Sequence, residues 1–94
     1  MRIDDETVRA AHASRDLIRL YDAYRATARA QIAAIQQVRR HLNAAARPDP
    51  QRAIALAQIN RREALAIHTD AVYAERREQV RRRLHELQDI PDQP

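Results

Sequence analysis

Apolar side chains recur at steps of about three and four residues through the first half of the chain. The series is Ala10, Leu17, Tyr21, Tyr24, Ala28, Ile32, Ile35, Val38, Leu42 and Ala45. This heptad rhythm is typical of a helix whose apolar stripe packs against another helix. It predicts one long helix over about residues 4–46, begun by Asp4 or Asp5.

A second, less regular apolar stripe follows in the other half of the chain. Its members are Ile54, Leu56, Ile59, Leu65, His68, Val72, Tyr73, Val80, Leu84 and Leu87. They predict a second helix over about residues 50–89. The polar tail, 90–94, contains two prolines and is expected to fray.

The segment Arg47-Pro48-Asp49-Pro50 is the one strong break between the two stripes, and the chain has no glycine. Pro48 disfavours helical geometry at the residue before it. Asp49 suits a helix N-cap and Pro50 suits the first helical position. The segment therefore predicts a turn at 47–49. The fold expected is a single all-α domain over residues 1–94, an antiparallel helical hairpin.

A turn between Pro48 and Asp49 sets residue i opposite residue 97 − i, approximately, which gives an internal check on the hairpin. It predicts these opposed pairs: Val38 with Ile59, Ile32 with Leu65, Tyr24 with Tyr73, Leu17 with Val80, and His12 with His85. Each pair joins side chains of similar character, which supports the antiparallel arrangement.

The supply of large apolar side chains is small for a chain of 94 residues, and the sequence contains no Phe or Trp. A lone two-helix hairpin buries one stripe per helix, which gives little stability to a small domain. We therefore expect a homo-oligomer, with a dimer favoured, forming a four-helix bundle or a coiled-coil-like assembly. The predicted association seam comprises Leu17, Tyr21, Tyr24, Ile32, Ile35, Val38, Leu42, Ile59, Leu65, Val72, Tyr73, Val80, Leu84 and Leu87.

Charge is distributed unevenly along the chain, and every basic residue apart from the histidines is arginine. Residues 29–62 contain seven arginines and one acidic residue, which gives a net charge of +6. The net charge is zero over residues 1–28 and −2 over residues 63–94. A hairpin would gather the excess positive charge at its turn end. The arginines concerned are Arg29, Arg39, Arg40, Arg47, Arg52, Arg61 and Arg62.

The basic turn half has two interpretations. It can meet the acidic half of another copy, in an antiparallel dimer or a head-to-tail filament. It can instead bind an acidic protein or a nucleic acid, and binding to phosphates would then weaken steeply with salt. None of the three tyrosines that could stack on bases lies in this half. The sequence favours a protein–protein assembly module, with RNA or DNA binding as the alternative.

Catalytic chemistry has few candidate residues. The chain has no cysteine, one serine (Ser14) and no glycine with which to shape an oxyanion hole or a phosphate loop. His12 and His85 could share a metal ion, but zinc sites use three or four protein ligands. We expect no enzymatic activity, no cofactor and no metal. The absence of a long apolar run or a secretory signal predicts a cytoplasmic protein that does not enter membranes.

Overall fold

The computed structural model describes residues 4–44 and 49–88 and confirms the all-α antiparallel hairpin. Helix α1 spans Asp5–Ala44 and helix α2 spans Pro50–Gln88. They pack along their length into a rod of 75 × 15 × 14 Å. The predicted turn residues Arg47 and Pro48 and the predicted tail, 90–94, lie outside the described residues.

An aspartate directly precedes each helix and caps its N-terminus. Oδ1 of Asp4 accepts the backbone N–H of Thr7 at 2.7 Å, and Oδ1 of Asp49 accepts the backbone N–H of Gln51 at 3.0 Å. Pro50 occupies the first position of α2, where a missing N–H costs nothing. Hydrogen bonds from Thr7, from its side chain and then its backbone, lower the pKa of Asp4.

The residues that α1 and α2 turn toward each other follow a strict alternation of four-residue and three-residue steps. We call these two rows the seam. In α1 the row is Thr7, Ala11, Ser14, Ile18, Tyr21, Arg25, Ala28, Ile32, Ile35, Arg39 and Leu42. In α2 it is Arg52, Leu56, Ile59, Glu63, Ala66, Asp70, Tyr73, Arg77, Val80, Leu84 and Leu87. All are buried or half-buried, as an unbroken heptad pattern requires.

The seam of α1 agrees with the predicted apolar stripe at Tyr21, Ala28, Ile32, Ile35 and Leu42 but differs from it at positions between them. It takes Ile18, Arg25 and Arg39 where the apolar pattern favoured the residue before each. Leu17, Tyr24 and Val38 are instead 40–48% exposed, on the flank of the helix. The physical reason is charge, because acidic residues of α2 lie within reach of both arginines.

The predicted levels of the hairpin have different outcomes. The rings of Tyr24 and Tyr73 lie 5.0 Å apart between centroids, so this pairing is confirmed. Leu65 is 66% exposed and does not pack between the helices, contrary to its expected place opposite Ile32. Leu17 and Val38 lie on the flank, so their predicted levels with Val80 and Ile59 are not direct seam contacts.

Small residues occupy the most enclosed positions of the seam. Among the described residues only Ser14, Ala28 and Ala66 are buried, and no large side chain is fully buried. Small side chains allow the helix axes to approach closely, which leaves the larger neighbouring side chains on the outside of the contact. Helix α1 continues without interruption through Ser14.

Enlarging a buried alanine should destabilise the hairpin. Ala28→Leu adds three carbon atoms at a site that is 3% exposed, and overpacking of this kind costs about 1–3 kcal/mol. For a domain of this size, the loss lowers Tm by on the order of 5–15 °C. Thermal unfolding followed by circular dichroism measures the change.

Ala30→Leu is the matched control, since Ala30 is exposed on the same helix and the same atoms are added. Its effect should stay within about 0.5 kcal/mol. If Ala28→Leu proved as stable as Ala30→Leu, the close helix approach at this level would be refuted.

Candidate association surface

An aspartate and two arginines join the helices near the middle of the rod. Nε of Arg25 donates a hydrogen bond to Oδ1 of Asp70 at 2.9 Å, and Nε of Arg29 lies 3.7 Å from Oδ2 of the same carboxylate. The side chains of Arg25 and Asp70 are only 24% and 20% exposed, so water screens this pair less than a surface pair.

A second charged pair closes the seam nearer the turn. Nη1 and Nη2 of Arg39 donate to Oε2 and Oε1 of Glu63 at 2.9 and 2.7 Å, in the bidentate geometry that arginine favours. Nη2 of Arg39 also donates to Oδ1 of Asn60 at 3.0 Å. On the other side of the Arg25–Asp70 contact from the turn, Arg77 donates through Nε to Asp22.

Further polar contacts of the charged seam residues lie along one side of the rod, which we call the ion-pair face and define by Asp22, Arg29 and Asn60. Each of these three residues directly follows a seam position. In an antiparallel pair of helices the equivalent flanks of both helices meet on the same side. The polar partners of the seam therefore collect on one long face of the hairpin.

The charged contacts lower the pKa values of the carboxyl groups that they involve. The hydrogen bond from Arg25, followed by the charges of Arg25 and Arg29, lowers the pKa of Asp70. The hydrogen bond from Arg39 lowers the pKa of Glu63. On the surface of α2, the hydrogen bond from Arg81 lowers the pKa of Glu78 from its ordinary 4.5 to about 2.

The side of α1 that lies across the rod from the ion-pair face carries no charged residue from position 10 to position 41. We call it the uncharged stripe. It repeats at steps of three and four residues, one position before the seam on each turn. Its members are Ala10, Ala13, Leu17, Leu20, Tyr24, Thr27, Gln31, Ala34, Val38 and His41.

Helix α2 extends the uncharged stripe into a broader surface. Leu65, Thr69 and Val72 lie on the same side of the rod. A groove at this side is lined by Gln31, Ala34, Ile35, Arg62, Leu65, Ala66 and Thr69, which brings both helices to one surface. We call the stripe together with Leu65, Thr69 and Val72 the uncharged face. Charged residues of α2 border this face at the same helical spacing, namely Arg62, Arg76, Arg83 and Glu86.

Large apolar side chains are exposed mainly on the uncharged face. Of the eight described residues of this kind, five belong to it. They are Leu17, Leu20, Tyr24, Val38 and Leu65, which are 40–66% exposed. Val8, Ile54 and Ile67 lie elsewhere. An exposed apolar row rimmed by polar residues is typical of a surface that binds another protein.

The three tyrosines form one aromatic cluster at the edge of this face. The ring of Tyr73 lies 5.8 Å from that of Tyr21 and 5.0 Å from that of Tyr24, in tilted arrangements. Such tilted pairs are among the favourable geometries of aromatic rings. Tyr21 and Tyr73 belong to the seam, whereas Tyr24 lies outside the seam and is 42% exposed.

The seven arginines predicted for the turn half do not form one patch. Arg29 and Arg39 contact carboxylates of α2 and Arg52 lies in the seam, while Arg47 is outside the described residues. The remaining three are exposed and have no ion pair within the described part of the chain. They are Arg40, Arg61 and Arg62, which the helical spacing directs to three different sides of the rod.

The fourteen residues of the predicted association seam divide into two groups. Ten are half-buried in the hairpin, and four are exposed on the uncharged face. The exposed four are Leu17, Tyr24, Val38 and Leu65. Leu20 was not singled out from the sequence, and the apolar pattern did not predict that Arg25 and Arg39 lie in the seam.

The described residues place no group of three or more histidine, aspartate or glutamate side chains where they could hold a metal ion. His12 borders a shallow groove with Leu87 and Gln88 on the ion-pair side. Neither described helix contains an apolar stretch that could cross a membrane.

Comparisons with protein-family models, with curated proteins and with solved structures gave no match.

Acidification should destabilise the hairpin as its paired carboxylates take up protons. Their pKa values are lower in the folded chain than in the unfolded chain, so the unfolded chain binds more protons as the pH falls. The stabilisation is complete above about pH 4.5 and is lost as the pH falls toward 2, the pKa of Glu78. Tm measured by circular dichroism from pH 7 to pH 2 follows the loss.

The variant Glu63→Gln distinguishes the contribution of the Arg39–Glu63 pair to stability from the other effects of low pH. This variant should have a lower Tm than wild type at pH 7 and a smaller fall between pH 5 and pH 2. Glu86→Gln serves as the control, because Glu86 is exposed and contacts only Arg83 of its own helix, at 3.7 Å. Equal Tm profiles for wild type and Glu63→Gln would show that the Arg39–Glu63 pair does not stabilise the fold.

Proposed function

We propose that this chain is a non-enzymatic assembly module that self-associates through its uncharged face. The observation that carries this proposal is the row of exposed Leu17, Leu20, Tyr24 and Val38 on a side of α1 that is free of charge over residues 10–41. Burying such a row removes apolar surface from water, which is the main driving force of protein association.

The burial pattern of the hairpin supports the same proposal. No large side chain is fully buried in the described part of the chain, so the seam alone gives the hairpin little hydrophobic stabilisation. Packing a further layer on the uncharged face would cover side chains that one hairpin leaves exposed. Association would thus stabilise the fold as well as create the assembly.

Several groups that could act in catalysis make structural contacts instead. Ser14, the single serine of the chain, is buried in the seam. The carboxylates of Glu63, Asp70 and Glu78 are hydrogen-bonded to arginines that lower their pKa values, which disfavours proton donation near neutral pH. These contacts support a binding role over an enzymatic one.

A charge placed on the uncharged face should abolish association. In Leu20→Glu, the assembly would have to bury a carboxylate that has no partner, which is costly. We expect self-association to weaken at least about tenfold, corresponding to 1.4 kcal/mol. Sedimentation velocity over a range of protein concentrations measures the effect.

Ile67→Glu is the matched control. Ile67 is 51% exposed against 43% for Leu20, but it lies beside the seam on the ion-pair side of the rod. The control should associate like wild type, and both variants should keep the helical circular dichroism signal. A wild-type chain that remains monomeric at high micromolar concentration would refute the proposed function.

A polyanion is the second candidate partner, and the observation that favours it is the exposure of Arg40, Arg61 and Arg62 near the turn end. They lie within about two helical turns of one another along the rod, so an RNA backbone could contact more than one. Their different directions would allow only a few phosphate contacts at a time.

Reversing two of these charges tests the second candidate. If RNA binds the turn half, Arg61→Glu with Arg62→Glu should remove a gel mobility shift seen at low salt. Arg82→Glu with Arg83→Glu makes the same charge change on two adjacent exposed arginines of the open half and should retain the shift. No shift of RNA or duplex DNA by the wild-type chain at low salt would eliminate this candidate.

A further inference from the structure

We infer that the partner on the uncharged face is a second copy of this chain in antiparallel orientation, with α1 packed against α1 of the other copy. This inference rests on the proposed function and adds to it the orientation of the copies and the pairing of residues. The two turn ends would then lie at opposite ends of a four-helix bundle.

The uncharged stripe is complementary to itself when one copy is reversed. An antiparallel pairing centred between Tyr24 and Thr27 sets every stripe residue opposite another stripe residue. The large side chains then meet smaller or more flexible ones: Val38 with Ala13, Leu17 with Ala34, Leu20 with Gln31, and Tyr24 with Thr27. Alternating large and small residues across a helical interface is what close packing requires.

The side chains of α2 are also compatible with an antiparallel dimer. Antiparallel pairing of its flank on the uncharged face sets Arg62 near Gln79, Arg83 near Gln58, and Thr69 near Val72. The same pairing sets Arg76 near Leu65, and no arginine of this flank meets another arginine. Glutamine can accept a hydrogen bond from arginine through its amide oxygen, so the two arginine–glutamine levels are polar but compatible.

The parallel alternative is disfavoured by the residues that it would bring together. With both turn ends on the same side, α1 of one copy would lie over α2 of the other. Arg76 would then cover Leu20, Arg83 would cover Ala13, and Arg62 would cover Ala34. None of these three arginines would face a polar side chain, whereas two of them face a glutamine in the antiparallel pairing, and burying an arginine without a hydrogen-bond partner is costly.

Net charge favours the same orientation. In the hairpin, Glu63 belongs to the turn half together with residues 29–62, so residues 29–68 carry a net charge of +5 and the rest of the chain carries −1. A parallel dimer would place two charges of +5 side by side, whereas an antiparallel dimer sets each basic half beside the weakly acidic half of its partner. Like-charge contact is a recognised means of excluding one pairing in favour of another.

The uncharged face is large enough for a stable dimer. Residues 10–41 span about 45 Å of helix at a rise of 1.5 Å per residue. The rod is 15 Å wide. Their product is about 700 Å² per copy, or about 1,400 Å² in total, which lies within the range of specific protein–protein interfaces.

A single spin label near the turn distinguishes the orientations, because the chain contains no cysteine that would be labelled as well. Asn43→Cys carries the nitroxide at an exposed position at the end of α1. In the antiparallel dimer the two labels lie about 50 Å apart along the rod, from the helical rise, whereas in a parallel dimer they lie within about 30 Å. Pulsed electron paramagnetic resonance measures this distance.

Two controls accompany the measurement. A label at exposed Ala26, close to the centre of the predicted pairing, should give a distance within about 30 Å in either orientation. Adding Leu20→Glu to Asn43→Cys should remove the distance between copies, because the labelled chains no longer associate.

The outcomes separate the inference from the proposed function. A dimer with a distance near 50 Å for the label at position 43 supports the inference. A dimer with a short distance at this position overturns it and leaves self-association intact. A larger assembly with several distances also overturns it, in favour of an open stack. A monomeric chain without any distance between copies refutes both.

Discussion

Arginine–carboxylate contacts within the seam determine which side of each helix faces the other. Arg25 and Arg39 occupy seam positions, and Asp70 and Glu63 lie opposite them at hydrogen-bonding distance. Moving the seam by one residue on α1 would bring Leu17, Tyr24 and Val38 inward but would leave two half-buried carboxylates without partners. Because an unpaired charge costs more than an exposed aliphatic side chain, the charged register prevails. The uncharged face is a direct consequence of this choice.

The features predictable from sequence are those set by local chemistry. Asp49 and Pro50 define the start of α2, however the rest of the chain packs. Tyr24 and Tyr73 lie at similar distances from the turn along the chain, so an antiparallel hairpin brings their rings together. The seam of α1 was not predictable from apolarity, since two heptad registers share Tyr21, Ala28, Ile35 and Leu42 and differ only at the positions between them. The deciding information is the position of Glu63 and Asp70 on the other helix, which the apolar pattern of α1 does not contain.

The charge distribution illustrates the same limit for the candidate site. Counting along the sequence gives a strongly basic turn half, and the hairpin keeps that polarity. However, Arg39 is engaged by Glu63, and Arg29 lies near Asp70. Arg40, Arg61 and Arg62 remain exposed on different sides. A count of charges predicts where positive potential gathers, but only the pairing across the seam shows which guanidinium groups are still available to a partner.

The distribution of side-chain size explains why the uncharged face and the seam belong to one design. Ala28 and Ala66 are enclosed in the seam, whereas Leu20 and Leu65 are exposed beside it, which reverses the arrangement expected of a self-sufficient domain. A seam of small and charged residues holds two helices close together and sets their register, but it buries little apolar surface. Five of the eight exposed large apolar side chains in the described part of the chain lie on the uncharged face, where those of α1 follow the heptad spacing that a further helix layer would need. This distribution is what one half of the proposed two-layer helical structure would need, in which the ion pairs orient the layer and the exposed row would pack it against the other half.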